Sequence, residues 1–185
     1  MTTIAGALRI GVLLVIGGAL LKPPQNAPVT WADVLSQRAE WFGTEEARRI
    51  ADRVLDHQRG DGGWPKNTDM TAPPDQAVLA AARAKPDSTI DNGATVTQMR
   101  ALARVYRASA EARYRDALNK GLDYLLAAQY PNGGWPQFYP LRNDYSRYIT
   151  FNDNAMINVA TLLSRSRLRT AMGRSRIPLV ASEAG

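Results

Sequence analysis

The sequence predicts an all-α protein built from repeated helical hairpins, in a partial α/α toroid. Apolar residues recur at helical spacing along most of the 185 residues, and no stretch shows sustained strand alternation. A Gly-Gly-Trp-Pro sequence occurs twice, each time after an apolar helix. The 45% hydrophobic and 22% charged content is typical of a folded domain, and the length allows one domain with a real core.

The predicted helices follow one another between Thr30 and Leu163. A threonine followed by Asp33 predicts a short helix that opens at Thr30, with the threonine as its cap. Apolar residues at i, i+3, i+4, i+7 and i+8 predict an amphipathic helix over 44–58. Further helices are predicted over 75–85, 92–108 and 111–129, and a last one begins near Asp153.

The Gly-Gly-Trp-Pro sequences belong to a longer repeat, since Gln58–Pro65 recurs as Gln129–Pro136 at an offset of 71 residues. We expect the glycines to turn the chain sharply off the helix end and the tryptophan to pack back as an apolar plug. Each copy is later followed by Asp-Asn and a small residue, at Asp91 and at Asp153. The spacing places these two aspartates at corresponding positions, each where a helix begins.

Two interpretations of Asp91 and Asp153 follow from this placement. Aspartate is a favoured helix N-cap, which would make both residues structural. Alternatively, both carboxylates face one cleft, where amide oxygens of Asn92, Asn152 or Asn154 would complete the hard oxygen ligands that Ca²⁺ prefers. The two roles do not exclude each other, because a carboxylate has two oxygens.

Composition excludes several other chemistries. The absence of cysteine rules out disulfides, thiol catalysis and Cys-ligated metal sites. His57 is the one histidine, and its place near a helix end favours a packing role over catalysis. The net charge of +6 comes from the two ends of the chain, while residues 31–163 are balanced, so nucleic acid is not an expected partner.

Three basic residues follow the Gly-Gly-Trp-Pro turns on predicted loops: Lys66, Arg142 and Arg147. Solvated surface charge is the default interpretation of each, but they would bind the carboxylates of a polyanionic substrate. Aromatic residues surround the same loops and suit either a core or sugar rings: Trp64, Trp135, Phe138, Tyr139, Tyr145 and Tyr148.

The two ends of the chain differ from its middle. Residues 1–27 hold an apolar run of 12 residues, Ile10–Leu21, which predicts a signal peptide or an N-terminal anchor and a secreted or periplasmic protein. No other membrane association is expected. Residues 164–185 concentrate arginine without a helical stripe and predict a divergent, disordered basic tail.

Residues 31–163 resemble polysaccharide lyase family 10, the pectate lyases. The resemblance rests on the blocks TEEARRIADRVLDHQRGDGGWPKNTDM, STIDNGATVTQMRALARVY and GLDYLLAAQYPNGGWPQFYPLRNDYSRYITFNDNAMINV. It implies an all-α, partly toroidal fold, Ca²⁺ as cofactor and β-elimination of polygalacturonate (pectate). It also implies that Asp91 and Asp153 lie in the active centre, with Asn92, Asn152, Lys66 and Arg147 as further substrate-binding candidates.

The resemblance stops near Ser164, and the family's proton-abstracting arginine lies beyond that point. We therefore expect a truncated pectate lyase that lacks its catalytic base, with a tail that is either translated in a wrong frame or an out-of-place end. The alternatives are a non-catalytic pectin-binding module, a non-functional fragment or, more distantly, a terpene cyclase-like α-toroid, although no DxDD-type acidic segment is present. A monomer is expected in every case.

Overall fold

The computed structural model describes residues 28–164, and its architecture confirms the all-α prediction. The described residues form five α-helices and no strand, with only two isolated β-bridges between loops. The helices are α1 (Glu45–His57), α2 (Gln76–Arg83), α3 (Val96–Ser109), α4 (Ala112–Ala128) and α5 (Ala155–Ser164). Short 3-10 helices lie between them: Trp31–Ser36, Ala39–Gly43, Asp91–Gly93, Tyr145–Arg147 and Asn152–Asn154.

The predicted signal segment and the predicted basic tail lie outside the described residues. Within residues 28–164, no helix is both long enough and apolar enough to cross a bilayer.

Local signals set the start of the first two α-helices. The Thr44 hydroxyl accepts a hydrogen bond from the Ala47 amide at 3.2 Å, and Glu45 and Glu46 place negative charge in the first turn of α1. The Asp75 carboxylate caps α2 in the same way, accepting from the amides of its first turn. These two helices therefore begin within a residue of their predicted positions.

Helix α3 lies at the centre of the fold, where it packs against α1, α4 and α5. Its inner face is completely buried at Met99 and Leu102 and meets Leu118 and Leu125 of α4 in one core. Full burial of each such side chain contributes about 1.5–3 kcal/mol to folding. This packing fixes the N-terminal end of α3. It therefore also positions the residues just before α3, which belong to the site described below.

The predicted threonine cap of the first helix and the predicted starts of two later helices differ from the structure. The segment that opens at Thr30 is a 3-10 helix, and the Thr30 hydroxyl donates to the Asp33 carboxylate instead of capping the backbone. Helices α3 and α5 begin at Val96 and Ala155, after the predicted starts at 92 and 153. The delay has a physical cause, because a left-handed residue interrupts the helical path before each of them.

Candidate functional site

The two copies of the Gly-Gly-Trp-Pro segment adopt the same turn. In each copy the indole N–H donates to a carbonyl ten residues earlier on the preceding helix, from Trp64 to Val54 at 2.7 Å and from Trp135 to Leu125 at 2.8 Å. Both indoles are buried. The tryptophan plug predicted from the sequence is therefore present twice, and it fixes the loop that follows each turn.

Gly62 shows why the turn needs glycine. Its φ is +94°, and a Cβ at this position would lie 2.2 Å from the Lys120 carbonyl oxygen. The corresponding Gly133 has a φ of +84° but open surroundings, since the nearest atom would be 4.0 Å away. The chain is thus packed closely against α4 at Gly62, whereas it is exposed at Gly133.

Two short turns carry the candidate aspartates, and their backbones match. We call Asp91–Gly93 the Asp91 turn and Asn152–Asn154 the Asp153 turn. The central residue is left-handed in both, with φ 50° and ψ 32° at Asn92 and φ 48° and ψ 31° at Asp153. The two turns lie against each other, so the fold brings the candidate residues of both repeats to one place.

The register of this repeat differs from the predicted one by a residue. The Thr89 hydroxyl accepts from the amide of Asp91 at 3.0 Å, and the Thr150 hydroxyl accepts from that of Asn152 at 3.3 Å. Asp91 therefore corresponds to Asn152, and Asp153 corresponds to Asn92. The two aspartates therefore have different positions in their turns. Asp91 is the first residue of its turn, whereas Asp153 is the central residue of the other.

The capping interpretation of the aspartates is wrong. The residue that precedes α3 is Thr95, and the Asp91 side chain makes no capping hydrogen bond. Within residues 28–164, no hydrogen bond joins the Asp153 side chain to a backbone amide, and this side chain is exposed. Neither carboxylate caps the N-terminus of a helix within residues 28–164.

Asp91 is a buried carboxylate with only one oxygen paired. The residue is 3% exposed, and its Oδ2 accepts from Lys66 Nζ at 2.5 Å. Its Oδ1 is buried and has no hydrogen-bond partner among the described residues. Burial raises the pKa of Asp91, but the hydrogen bond and the charge of Lys66, together with the nearby Gln137 amide, outweigh burial and lower the pKa below its ordinary value. Asp91 is therefore ionised at neutral pH.

Backbone strain surrounds Asp91. Thr95 has a φ of +61°, which is rare for a β-branched residue. Two hydrogen bonds of its hydroxyl hold it there, one accepted from the Trp64 amide at 3.1 Å and one donated to the Thr89 carbonyl at 2.8 Å. Such conformations cost about 1–3 kcal/mol and cluster at functional sites.

The other predicted site residues divide between the two turns and the loops around them. Asn92 and Asn152 are both exposed, and the Asn92 amide donates to Asn67 Oδ1 at 3.1 Å. Lys66 is not a free surface charge, because its ammonium is bound to Asp91. Arg147 is exposed, and its side chain has no carboxylate partner within residues 28–164.

Two of the basic side chains lie against the Phe138 ring. The Arg142 guanidinium carbon lies 3.4 Å from its ring centroid, and Lys66 Nζ lies 5.3 Å from the same centroid. His57 lies at the end of α1, where burial and the neighbouring Arg59 lower its pKa, in agreement with a packing role.

Sequence reasoning missed two buried glutamines beside the site. Gln137 is 6% exposed and occupies the position in the second repeat that Lys66 occupies in the first. Gln98 is 3% exposed and lies in the first turn of α3. The 71-residue offset could have identified Gln137, whereas nothing in the local sequence marks Gln98.

The two turns supply the kind of oxygen ligands that Ca²⁺ prefers. The unpaired, buried Asp91 Oδ1 is an ionised oxygen without a donor, and the adjoining turn supplies a second, exposed carboxylate. Among residues 28–164, no group of three or more His, Cys, Asp or Glu side chains is close enough to hold a metal ion. Amide or substrate oxygens would therefore have to complete the ligand set.

Comparison with known proteins gives one family. The sequence profile of the pectic acid lyases matches residues 58–175. Two solved structures are similar, each with 34% identity and a TM-score of 0.58 over 77% of this chain. Both are of a family 10 polysaccharide lyase from Cellvibrio cellulosa, one of them an Asp-to-Ala mutant in complex with trigalacturonic acid. The chain spans 46% of the length of each. No curated protein matches.

Proposed function

Because the chain belongs to the pectic acid lyases of polysaccharide lyase family 10, we propose that it acts in the calcium-dependent β-elimination of polygalacturonate. The observation that carries this proposal is the buried Asp91 Oδ1, which is ionised and unpaired beside the Asp153 turn. A similar solved structure in complex with trigalacturonic acid supports the substrate class. Membership of this family also removes the terpene cyclase alternative.

Asp91 and Asp153 are the proposed Ca²⁺ ligands. When bound, the ion supplies positive charge to the uronate carboxylate and so favours loss of the neighbouring C5 proton. Lys66 holds Asp91 through Oδ2, which keeps the carboxylate ionised and leaves Oδ1 available. This division of the two oxygens lets Asp91 keep its ion pair and bind a metal at the same time.

The remaining candidate residues would bind and orient the polymer. The amide groups of Asn92 and Asn152 are exposed on the two turns and would contact sugar hydroxyls. Arg147 would bind a uronate carboxylate, since its guanidinium is exposed and has no acidic partner in the described part of the chain.

We assign the catalytic base to none of the described residues. An arginine base must lose a proton from a group whose ordinary pKa exceeds about 12, which requires an enclosed environment. Arg147 is exposed, and Arg142 is half-buried against Phe138. Burial lowers the pKa of Arg113, but its neighbouring negative charges outweigh burial and raise it. Arg59 is 7% exposed, but its guanidinium is paired with Asp87 at 2.6 Å, and such an ion pair favours the charged form. The groups that residues 28–164 do offer suit calcium-dependent binding of pectate, which is the second candidate function.

An Asp153→Asn variant tests the proposed calcium site. We expect it to lose at least tenfold in calcium-dependent affinity for polygalacturonate, because a charged ligand becomes a neutral amide of the same shape. Isothermal titration with calcium or with EGTA measures this, and absorbance of unsaturated uronate reports cleavage in the same samples. The control is Asp116→Asn, an equally conservative change at a carboxylate 58% exposed on α4.

The outcomes separate the candidate functions. Unsaturated products that require Ca²⁺ and Asp153 support the lyase. Calcium-dependent binding without unsaturated products supports the binding module. Equal affinity of Asp153→Asn and the parent chain would refute the calcium site in either case.

We also propose that the protein acts as a monomer outside the cytoplasm. Pectate is an extracellular polymer, and residues 10–21 form the apolar run typical of an export signal. Cell fractionation and size-exclusion chromatography test the two statements separately.

A further inference from the structure

A cleft of about 310 Å³ lies beside the Asp91 turn, between the loop 65–69 and the start of α3. Its volume is at the lower end of the range for small-molecule sites. Trp31, Pro65 and Ala94 contribute apolar surface to its lining, and Asn67, Asn92 and Gln98 contribute amides. A lining that combines apolar surface with several amides suits a sugar ring.

Gln98 gives the cleft an unsatisfied acceptor. The residue lines the cleft and is 3% exposed, yet its Oε1 has no hydrogen-bond partner among residues 28–164. A buried acceptor without a donor costs about 1–3 kcal/mol. A ligand that donates a hydroxyl to Oε1 would recover this free energy.

The charges of the cleft disfavour a carboxylate. Lys66 is its one cation in the described residues, and that ammonium is already bound to Asp91 Oδ2. Asp69 adds an exposed carboxylate, whose orientation is fixed by the amide and the hydroxyl of Thr71 at 2.8 and 2.6 Å. A uronate placed here would meet negative charge without a free positive partner.

We propose that this cleft binds an uncharged, hydroxyl-bearing sugar residue, such as a methyl-esterified galacturonate, next to the calcium site. The inference rests on the proposed function and adds a specificity determinant to it. A free uronate occupies the calcium site, whereas an esterified residue of the same chain occupies the cleft. Gln98 selects the hydroxyl, and Asp69 rejects the free carboxylate.

The test compares two oligogalacturonates of equal length, one de-esterified and one fully methyl-esterified, by titration calorimetry of the full chain. In EGTA, the parent chain should bind the esterified oligomer, and Gln98→Leu should weaken this binding about tenfold. Leucine has a higher helix propensity and removes the unpaired acceptor, so this variant should fold at least as stably as the parent. The matched control is Gln76→Leu, an exposed position at the start of α2.

A second variant, Asp69→Asn, tests the selection by charge. It should strengthen binding of the de-esterified oligomer in EGTA by about threefold or more and leave the esterified oligomer unchanged, since only the carboxylate is repelled. If Gln98→Leu binds the esterified oligomer as well as the parent does, Oε1 is satisfied by water alone and the proposal is overturned. If Asp69→Asn affects both oligomers equally, the charge selection is overturned.

The failure of this inference is distinguishable from failure of the proposed function. Calcium-dependent binding that needs Asp153 but ignores Gln98 and Asp69 leaves the proposed function intact and removes the sugar subsite. In the opposite case, the esterified oligomer binds without calcium and needs Gln98, while calcium has no effect on binding of the de-esterified oligomer. This result leaves the sugar subsite intact and removes the proposed function. Absence of binding to both oligomers overturns both.

Discussion

At the scale of single residues, the ion pair between Lys66 and Asp91 decides the state of the site. A carboxylate that is 3% exposed is costly to ionise, and the Lys66 ammonium offsets that cost at 2.5 Å. The lysine side chain is 33% exposed, so solvent screens part of the attraction. We therefore expect the Lys66–Asp91 ion pair to matter more for keeping a carboxylate oxygen ionised, where a ligand can bind it, than for stabilising the fold.

Replacing Lys66 by methionine should lower the free energy of unfolding by about 1–3 kcal/mol at pH 7, because Asp91 is left buried without its partner. The pKa of Asp91 is lowered in the parent chain, so the stability it contributes is present above its ordinary pKa of about 4 and is lost as the pH falls through the folded value. The difference between the parent and Lys66→Met should therefore shrink on acidification.

Urea unfolding between pH 7 and pH 3 measures this difference. Lys120→Met is the control, since Lys120 is exposed on α4 and has no ion pair within residues 28–164. A gap between parent and Lys66→Met that stays constant across this pH range would show that Lys66 does not act through the Asp91 charge.

At the scale of elements, the repeat explains how two distant segments form one site. Each Gly-Gly-Trp-Pro turn is fixed to its preceding helix by the indole, and the tryptophan carbonyl then accepts from the Thr89 or Thr150 amide at 3.1 Å. This second contact sets the start of the Asp91 turn or the Asp153 turn. The site is thus assembled by hydrogen bonds between loops, which helical periodicity does not encode.

The two repeats differ in how closely the turn packs, which predicts unequal effects of the same substitution. Gly133→Ala should cost about 1–2 kcal/mol, the ordinary penalty for a left-handed alanine. Gly62→Ala should cost at least about 3 kcal/mol, since its Cβ would also overlap the Lys120 carbonyl. Thermal and urea unfolding of both variants measure these costs, and equal losses would contradict the close approach of the first turn to α4.

The sequence predicted the helices well and the turns poorly, for a physical reason. Helix α1 was expected over 44–58 and spans Glu45–His57, because its apolar stripe and its threonine cap are local signals. The left-handed residues before α3 and α5 depend on contacts with other loops, so their effect on the helix starts was missed. The same loops shift the alignment of the two repeats by one residue, so that Asp91 corresponds to Asn152. Aligning the two Asp-Asn dipeptides of the sequence did not reveal this shift.

At the scale of the whole molecule, the buried and exposed apolar residues are unevenly distributed. The core around α3 is closed by α1 and α4. In contrast, four large apolar or aromatic side chains within residues 145–157 are 63–76% exposed: Tyr145, Tyr148, Phe151 and Ile157. Large apolar side chains exposed within so short a stretch of the chain favour association with other surfaces.

This exposed stretch predicts that the chain, proposed above to act as a monomer, aggregates at high concentration, which Phe151→Ser combined with Ile157→Ser should reduce. Both side chains are mostly exposed, so their replacement removes apolar surface from water without opening a cavity in the core. The melting temperature should therefore change little while light scattering at high concentration falls. Val78→Ser is the matched control, because Val78 is 65% exposed on α2, away from this stretch. Self-association that persists in the double variant, or that Val78→Ser reduces equally, would place the associating surface elsewhere on the molecule.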